Sequence, residues 1–205
     1  MFAKLLNRLS HEFTKVKTSI FYGFLVKKMG VSCFVGKPLR WTPQYLEIAD
    51  RVSILDDFRI EGIASYAGQT FTPVIKLEEG VSIQQRCHIT AASELLIGQN
   101  TLISFDVSIQ DTDHQYQQID VPIGLQPLIV KQTKIGANCF IGSGAKIQAG
   151  TVLGKQCIVG TNAVVRGEFP DYSVIVGVPA RIIKRYNRAT KKWQKTDKNG
   201  EFISE

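Results

Sequence analysis

Three histidines, at positions 11, 88 and 114, are the side chains of this chain best suited to moving a proton near neutral pH. His114 closes the run Asp111-Thr112-Asp113-His114, inside the polar stretch DTDHQYQQID. A neutral imidazole there can take the proton of a hydroxyl, which is a poor nucleophile until that proton leaves. A positioned base of this kind contributes about 10²–10⁴-fold to a rate. It works best with its second nitrogen tied to a carboxylate or carbonyl. Asp111 and Asp113 are near enough in sequence to serve, although aspartates also favour tight loops through contacts with their own backbone. His114 on a surface loop without a role is the plainer alternative. His88 follows Cys87, which falls at an inward position, so His88 is expected to point outward, where it could line a pocket. His11 falls in an amphipathic segment and is expected to be solvated and structural. A zinc site would need three histidines to converge. The spacing here offers at most His88 and His114, so no metal is expected.

The elements that must hold these residues show a six-residue period. Between positions 135 and 165, Ile, Leu or Val stands at 135, 141, 147, 153, 159 and 165 without a slip. The fifth place of each hexad is small or modest: Cys139, Ala145, Thr151, Cys157 and Ala163. Gly136, Gly142, Gly154 and Gly160 follow their aliphatics, where close backbone approach is useful. A spacing of six predicts short extended segments separated by turns, each segment offering one large inward side chain. That is the pattern of a parallel β-solenoid whose coils stack at about 4.8 Å. The same pattern runs upstream as Ile48, Ile54 and Ile60, with Val52, Phe58 and Ala64 in the small slot. It continues as Leu77, Ile83, Ile89 and Leu95, and then, shifted by two, as Ile97, Ile103 and Ile109. Two insertions interrupt it, residues 65–76 and residues 111–134. A smooth solenoid wall offers no concavity, so a pocket has to be made by a loop standing off it.

Length and charge set the frame. The 205 residues suit one domain with short appendages. The formal net charge of +7 is concentrated at the two ends. Residues 1–28 hold six Lys/Arg against Glu12, and residues 181–198 hold eight against Asp197, so the body between is mildly acidic. No aromatic-interleaved basic groove appears, and nucleic acid is not an expected partner. The four cysteines are too few for a disulfide scaffold at this length, and Cys87, Cys139 and Cys157 recur at one slot of the hexad, which marks small core residues. In residues 1–30, Phe2, Leu5, Leu6, Leu9, Phe13, Val16, Ile20 and Phe24 recur at spacings of three and four. They predict an amphipathic helix that either caps the open end of the solenoid or rests on an anionic membrane surface. No apolar run long enough to span a bilayer occurs, and the N-terminus lacks the pattern of a secretory signal. A cytoplasmic protein, with peripheral contact at the inner membrane through this helix, is the expectation. The expected division is an N-terminal helical segment at 1–30, a β-helix at 31–186 with its loop at 111–134, and a basic C-terminal tail at 187–205.

With these residues in view, the chain resembles the hexapeptide-repeat, left-handed β-helix acyltransferases, in particular bacterial O-acetyltransferases of lipopolysaccharide and capsular polysaccharide and the maltose and galactoside acetyltransferases. The hexads, the DTDH loop, the segment VVRGEFPDYSVIVGVPARIIKRY at 164–186 and the opening KPLRWTPQYLEIADRVSI at 37–54 carry the resemblance, which spans roughly residues 30–190. It implies an all-β solenoid of three-sided coils with left-handed crossovers, a homotrimer with the active site between subunits, and acetyl-CoA as acyl donor. It places His114 where the family's catalytic histidine sits. It implies cofactor contacts at Ser143, Thr161, Arg166, Gly167, Arg181 and Lys184, the last two toward phosphate oxygens. On the acceptor side an asparagine of the galactoside enzymes falls near Gln84, while their sugar-holding carboxylate falls near Ala92. The acceptor implied is therefore not a simple galactoside but a sugar of a surface glycan or its lipid-linked precursor. N-acetylation of a nucleotide-linked amino sugar, and a β-helix scaffold without catalysis, are the alternatives.

Overall fold

A computed structural model of the protein describes residues 18–197 and 200–203. Short parallel strands form three sheets of seven, nine and six strands, and the chain visits them in turn as the faces of a three-sided coil. The first face opens with Lys28–Met29, the second with Phe34–Val35 and the third with Pro38–Trp41. The inward aliphatics stack in register from coil to coil. On the second face the ladder is Val35, Ile54, Ile83, Ile103, Ile141, Val159 and Ile175. On the first it is Ile48, Leu77, Ile97, Ile135, Leu153 and Phe169. On the third it is Trp41, Ile60, Ile89, Ile109, Ile147 and Val165. Every rung from Ile48 to Val165 except Phe169 and Trp41 is fully or almost fully buried, and each fully buried aliphatic contributes about 1.5–3 kcal/mol.

The turns explain the period. Where the first face passes to the second, Ser32, Arg51, Gly80, Asn100, Asn138, Gln156 and Tyr172 adopt positive φ. Where the second passes to the third, Asp57, Arg86, Asp106, Gly144 and Asn162 do the same. One left-handed residue per corner turns the chain sharply, so two residues of strand and four of turn make each hexad. Glycine after the aliphatic is required by stacking: a Cβ on Gly142 would lie 2.7 Å from the backbone nitrogen of Thr161 in the next coil. The small slot has its own logic. The thiols of Cys87, Cys139 and Cys157 donate to the carbonyls of Ser104, Gly154 and Pro170, and buried Thr101 donates to Gly136. These corners are thus filled by short side chains that also satisfy the backbone of the adjacent coil. The slot is not uniformly small, however. Phe58 is fully buried there, and Ala64 lies outside the ladder because the chain has already left the third face.

Each end carries a described segment that lies outside the repeat. The helix predicted over residues 1–30 falls, for residues 1–17, outside the described residues, and His11 with it. Its described remnant is one helical turn, Thr18–Tyr22. The Thr18 hydroxyl accepts from the Val35 amide at 2.9 Å, and the Tyr22 ring meets Trp41 edge-on at 4.9 Å, so this turn packs on the first coil. At the other end, Ala180–Asn187 runs antiparallel to Ser173–Gly177, and Lys192–Lys195 pairs antiparallel with it in turn. The segment read from the sequence as a basic tail therefore holds a strand that extends the second face. Among the described residues no helix is long and apolar enough to cross a membrane.

Candidate active site

Both insertions leave the solenoid at the same edge, where the third face passes to the first. The earlier one forms a hairpin of Ser65–Tyr66 with Gln69–Thr70, turned by Ala67 and Gly68 at positive φ. The later one pairs Thr112–His114 antiparallel with Leu128–Val130 and carries a helical turn at Ile123–Leu125. The hairpin braces the loop. Tyr66 donates its hydroxyl to the Gly124 carbonyl at 2.8 Å. The Gln69 amide accepts from the Leu128 N–H at 2.6 Å and donates to the Leu128 carbonyl at 3.3 Å. Inside the loop, buried Gln126 donates to the carbonyls of Gln118 and Val121 and accepts from the Gln118 amide. The polar run that broke the hexads is thus an ordered structure with its own small amide core.

His114 is exposed at the end of the strand Thr112–His114, opposite Leu128. Its ring meets the Tyr66 ring edge-on, with centroids 5.3 Å apart at 71°. Among the described residues no side chain hydrogen-bonds the imidazole. The two carboxylates that the sequence offered either as orienting partners or as turn residues bond elsewhere. Asp111 is completely buried, and its oxygens accept from the amides of Ala92 and Ser93 at 2.8 Å and from the Ser93 hydroxyl at 2.7 Å. It ties the loop to the tight turn of the intervening coil. Asp113 lies on the opposite side of the strand from His114, as alternation requires, and both its oxygens accept from Arg166 Nη2, at 3.0 and 2.8 Å. Residue proximity in sequence suggested an orienting role that strand geometry assigns elsewhere.

The expected cofactor residues divide between two edges of the third face. Ser143 and Thr161 sit on successive coils at the second-to-third edge, where the Ser143 carbonyl accepts from Asn162 at 2.9 Å. Arg181 and Lys184 are exposed on the strand Ala180–Asn187, just beyond the Val178–Pro179 turn. The Arg181 guanidinium donates to the Ala180 carbonyl at 2.9 Å. Arg166 and Gly167 sit instead at the third-to-first edge, below the His114 loop, and Gly167 is at φ +109°. Gln84 stands at the second-to-third edge, its amide only 3.5 Å from the Ser82 hydroxyl. His88 points outward from the third face, in register with Arg59 and Ser108. Among the described residues no three His, Cys, Asp or Glu side chains gather as a metal ion would need. Tyr66 and Gln69 escaped the sequence reading. The signal for them was that residues 65–76 interrupt the repeat at the same phase as residues 111–134, each after a third-face aliphatic.

Residues 132–167 match the family described as bacterial transferase hexapeptide (six repeats). The chain is 36% identical over 129 residues to the putative lipopolysaccharide biosynthesis O-acetyl transferase WbbJ of Escherichia coli, covering 60% of this chain and 66% of that protein. It is 38% identical over 91 residues to a probable acetyltransferase of Mycobacterium tuberculosis, covering 44% of this chain and 30% of that one. The chain therefore spans somewhat under two thirds of the first relative and about a third of the second. The fold is that of a variant of AntD, an N-acyltransferase from Bacillus cereus, solved with dTDP-4-amino-4,6-dideoxyglucose and coenzyme A. The TM-score is 0.65, with 17% identity over 84% of this chain and 90% of that one.

Proposed function

We propose that this chain, whose residues 132–167 match the bacterial transferase hexapeptide model and which is 36% identical over 129 residues to an O-acetyl transferase, is an acetyl-CoA-dependent O-acetyltransferase of a sugar hydroxyl in a bacterial surface glycan or its lipid-linked precursor. The observation that carries the reading is His114, an exposed imidazole at the end of a braced strand on the edge where an otherwise regular wall is broken. The O-acetyl transferase named for the Escherichia coli relative supports the acceptor class. The coenzyme A held by the solved neighbour supports the donor.

In this reading His114 takes the proton of the acceptor hydroxyl as its oxygen attacks the thioester carbonyl. The tetrahedral intermediate collapses with cleavage of the carbon–sulfur bond, and the imidazolium returns its proton to the departing thiolate. With the site lying between subunits, backbone amides near Ser143 and Thr161 at the second-to-third edge of a neighbouring subunit are suited to steadying the oxyanion and the pantetheine arm. Arg181 and Lys184, exposed beyond the same edge, suit phosphate oxygens. The acceptor side takes in His88 and Gln84 on the third face and its edge. A homotrimer fits the second face, whose outward positions Leu102, Phe140 and Ile158 form an exposed apolar row across three consecutive coils.

Transfer to the amine of a nucleotide-linked amino sugar is the second reading, favoured by the ligand of the N-acyltransferase neighbour. The two separate on the base, since a neutral amine needs no deprotonation before attack. Thiol release from acetyl-CoA, measured against a panel of hydroxyl and amino sugars, tests both. O-transfer predicts that His114→Ala lowers kcat by about 100-fold or more. Turnover of an amino sugar with less than a tenfold loss in the variant favours N-transfer. Full turnover of a hydroxyl sugar by His114→Ala removes His114 as base.

A further inference from the structure

Arg166 and Gln148 occupy equivalent places on successive coils, each following the last inward residue of a third-face strand, Val165 and Ile147. The Arg166 Nε donates to the Gln148 side-chain oxygen at 3.0 Å, which sets the plane of the guanidinium. Its Nη2 then reaches both oxygens of Asp113, 53 residues earlier in the chain. Asp113 is the residue immediately before His114, in a strand whose own ladder partners, Leu128–Val130, belong to the same loop. Besides Asp111, which anchors the root of the loop on Ala92 and Ser93, two kinds of contact tie it to other parts of the molecule near His114. One is the brace from the hairpin at Tyr66 and Gln69. The other is Arg166, whose anchor lies in the solenoid wall itself.

We propose that Arg166 is a positioning residue, holding Asp113 and thereby the reach of His114 over the wall, and not a contact to the cofactor. The proposal rests on the reading of His114 as the base. An exposed ion pair of this kind adds at most about 1 kcal/mol to global stability, and its side chains are 48% and 26% exposed. Its effect is local: it fixes one end of a short strand, and misplacing a reacting group by about 1 Å costs on the order of 100-fold. The planar fork matters as well, because a lysine cannot engage Gln148 and both carboxylate oxygens with one rigid group.

The test uses the full chain with Arg166→Gln, Asp113→Asn, the double variant and Arg166→Lys. Hydrogen exchange of the amides at 112–116 is read alongside kcat and KM for acetyl-CoA. Each single variant is expected to speed exchange in that segment, leave exchange at Ile147 and Val165 unchanged, and lower kcat about tenfold or more with KM within twofold. The double variant is expected to be no worse than the singles, and Arg166→Lys to recover only part of the loss. A rise in KM for Arg166→Gln that Asp113→Asn does not share overturns the proposal in favour of a cofactor contact. Unchanged exchange at 112–116 in Arg166→Gln overturns it outright. If the wild-type protein transfers acetyl to no acceptor, the proposed function fails, and the exchange measurement still decides whether Arg166 holds the loop.

Discussion

Two edges of this solenoid are built alike, coil after coil, while the third is broken twice, and the difference shows how a repeat accommodates an insertion. At the first-to-second and second-to-third edges, one left-handed residue turns the chain in all but the first second-to-third corner, and mostly short side chains fill the corners. At the third-to-first edge, the hairpin at 65–70 and the loop at 111–133 leave on either side of one short turn, Ala92–Ser93, and meet above it. The regular edges hold their backbone through the coil beside them, by ladder hydrogen bonds and by carboxylates such as Asp50, Asp56 and Asp171. The broken edge adds longer-range side-chain contacts: Asp111 downward to the short turn, Gln69 and Tyr66 across to the loop, and Arg166 up to Asp113. A repeat can therefore admit an insertion that brings its own polar contacts.

Three measurements would break or sharpen that contrast. The largest effect is expected at Asp111. Removing a buried carboxylate that accepts from two amides and a hydroxyl leaves those donors unsatisfied, so Asp111→Ala is expected to cost about 3 kcal/mol in urea unfolding. Asp113→Ala, two residues away on an exposed pair, is expected to cost under about 1 kcal/mol. Equal costs would erase the distinction between a structural and a positioning aspartate. At a regular edge, Asn162 sits at φ +56°. Asn162→Ala is expected to cost about 1 kcal/mol, and Asn162→Gly to fall within about 0.5 kcal/mol of wild type. If the alanine variant melts like wild type, the left-handed corner is not what the turn requires. The smallest effect concerns the thiols. All four cysteines are free and buried, and burial pushes the Cys87 thiol up to about 11. No thiol is expected to react with a disulfide reagent in the folded protein at neutral pH, and four are expected to react after denaturation. A thiol reacting within minutes in the folded state would contradict the sealed corners, and would also confound a thiol-release assay.

The sequence by itself determined the solenoid, because each coil's aliphatics bury only against the coils on either side, so the fold repeats with the period of the pattern. It also marked the two insertions and singled out His114, since a polar run that interrupts such a repeat has no place in the core. What it did not determine is which partner each polar side chain finds. Asp111 and Asp113 looked interchangeable beside His114, yet one meets residues 92–93 and the other meets Arg166. Tyr66 and Gln69 carried no motif at all, and the segment read as a tail holds a strand. Stacking brings residues about a coil or more apart into contact, and strand alternation sends neighbouring side chains to opposite sides. The partners of a loop residue are therefore set by which coil lies beneath it, and that was decided only when the chain wound up.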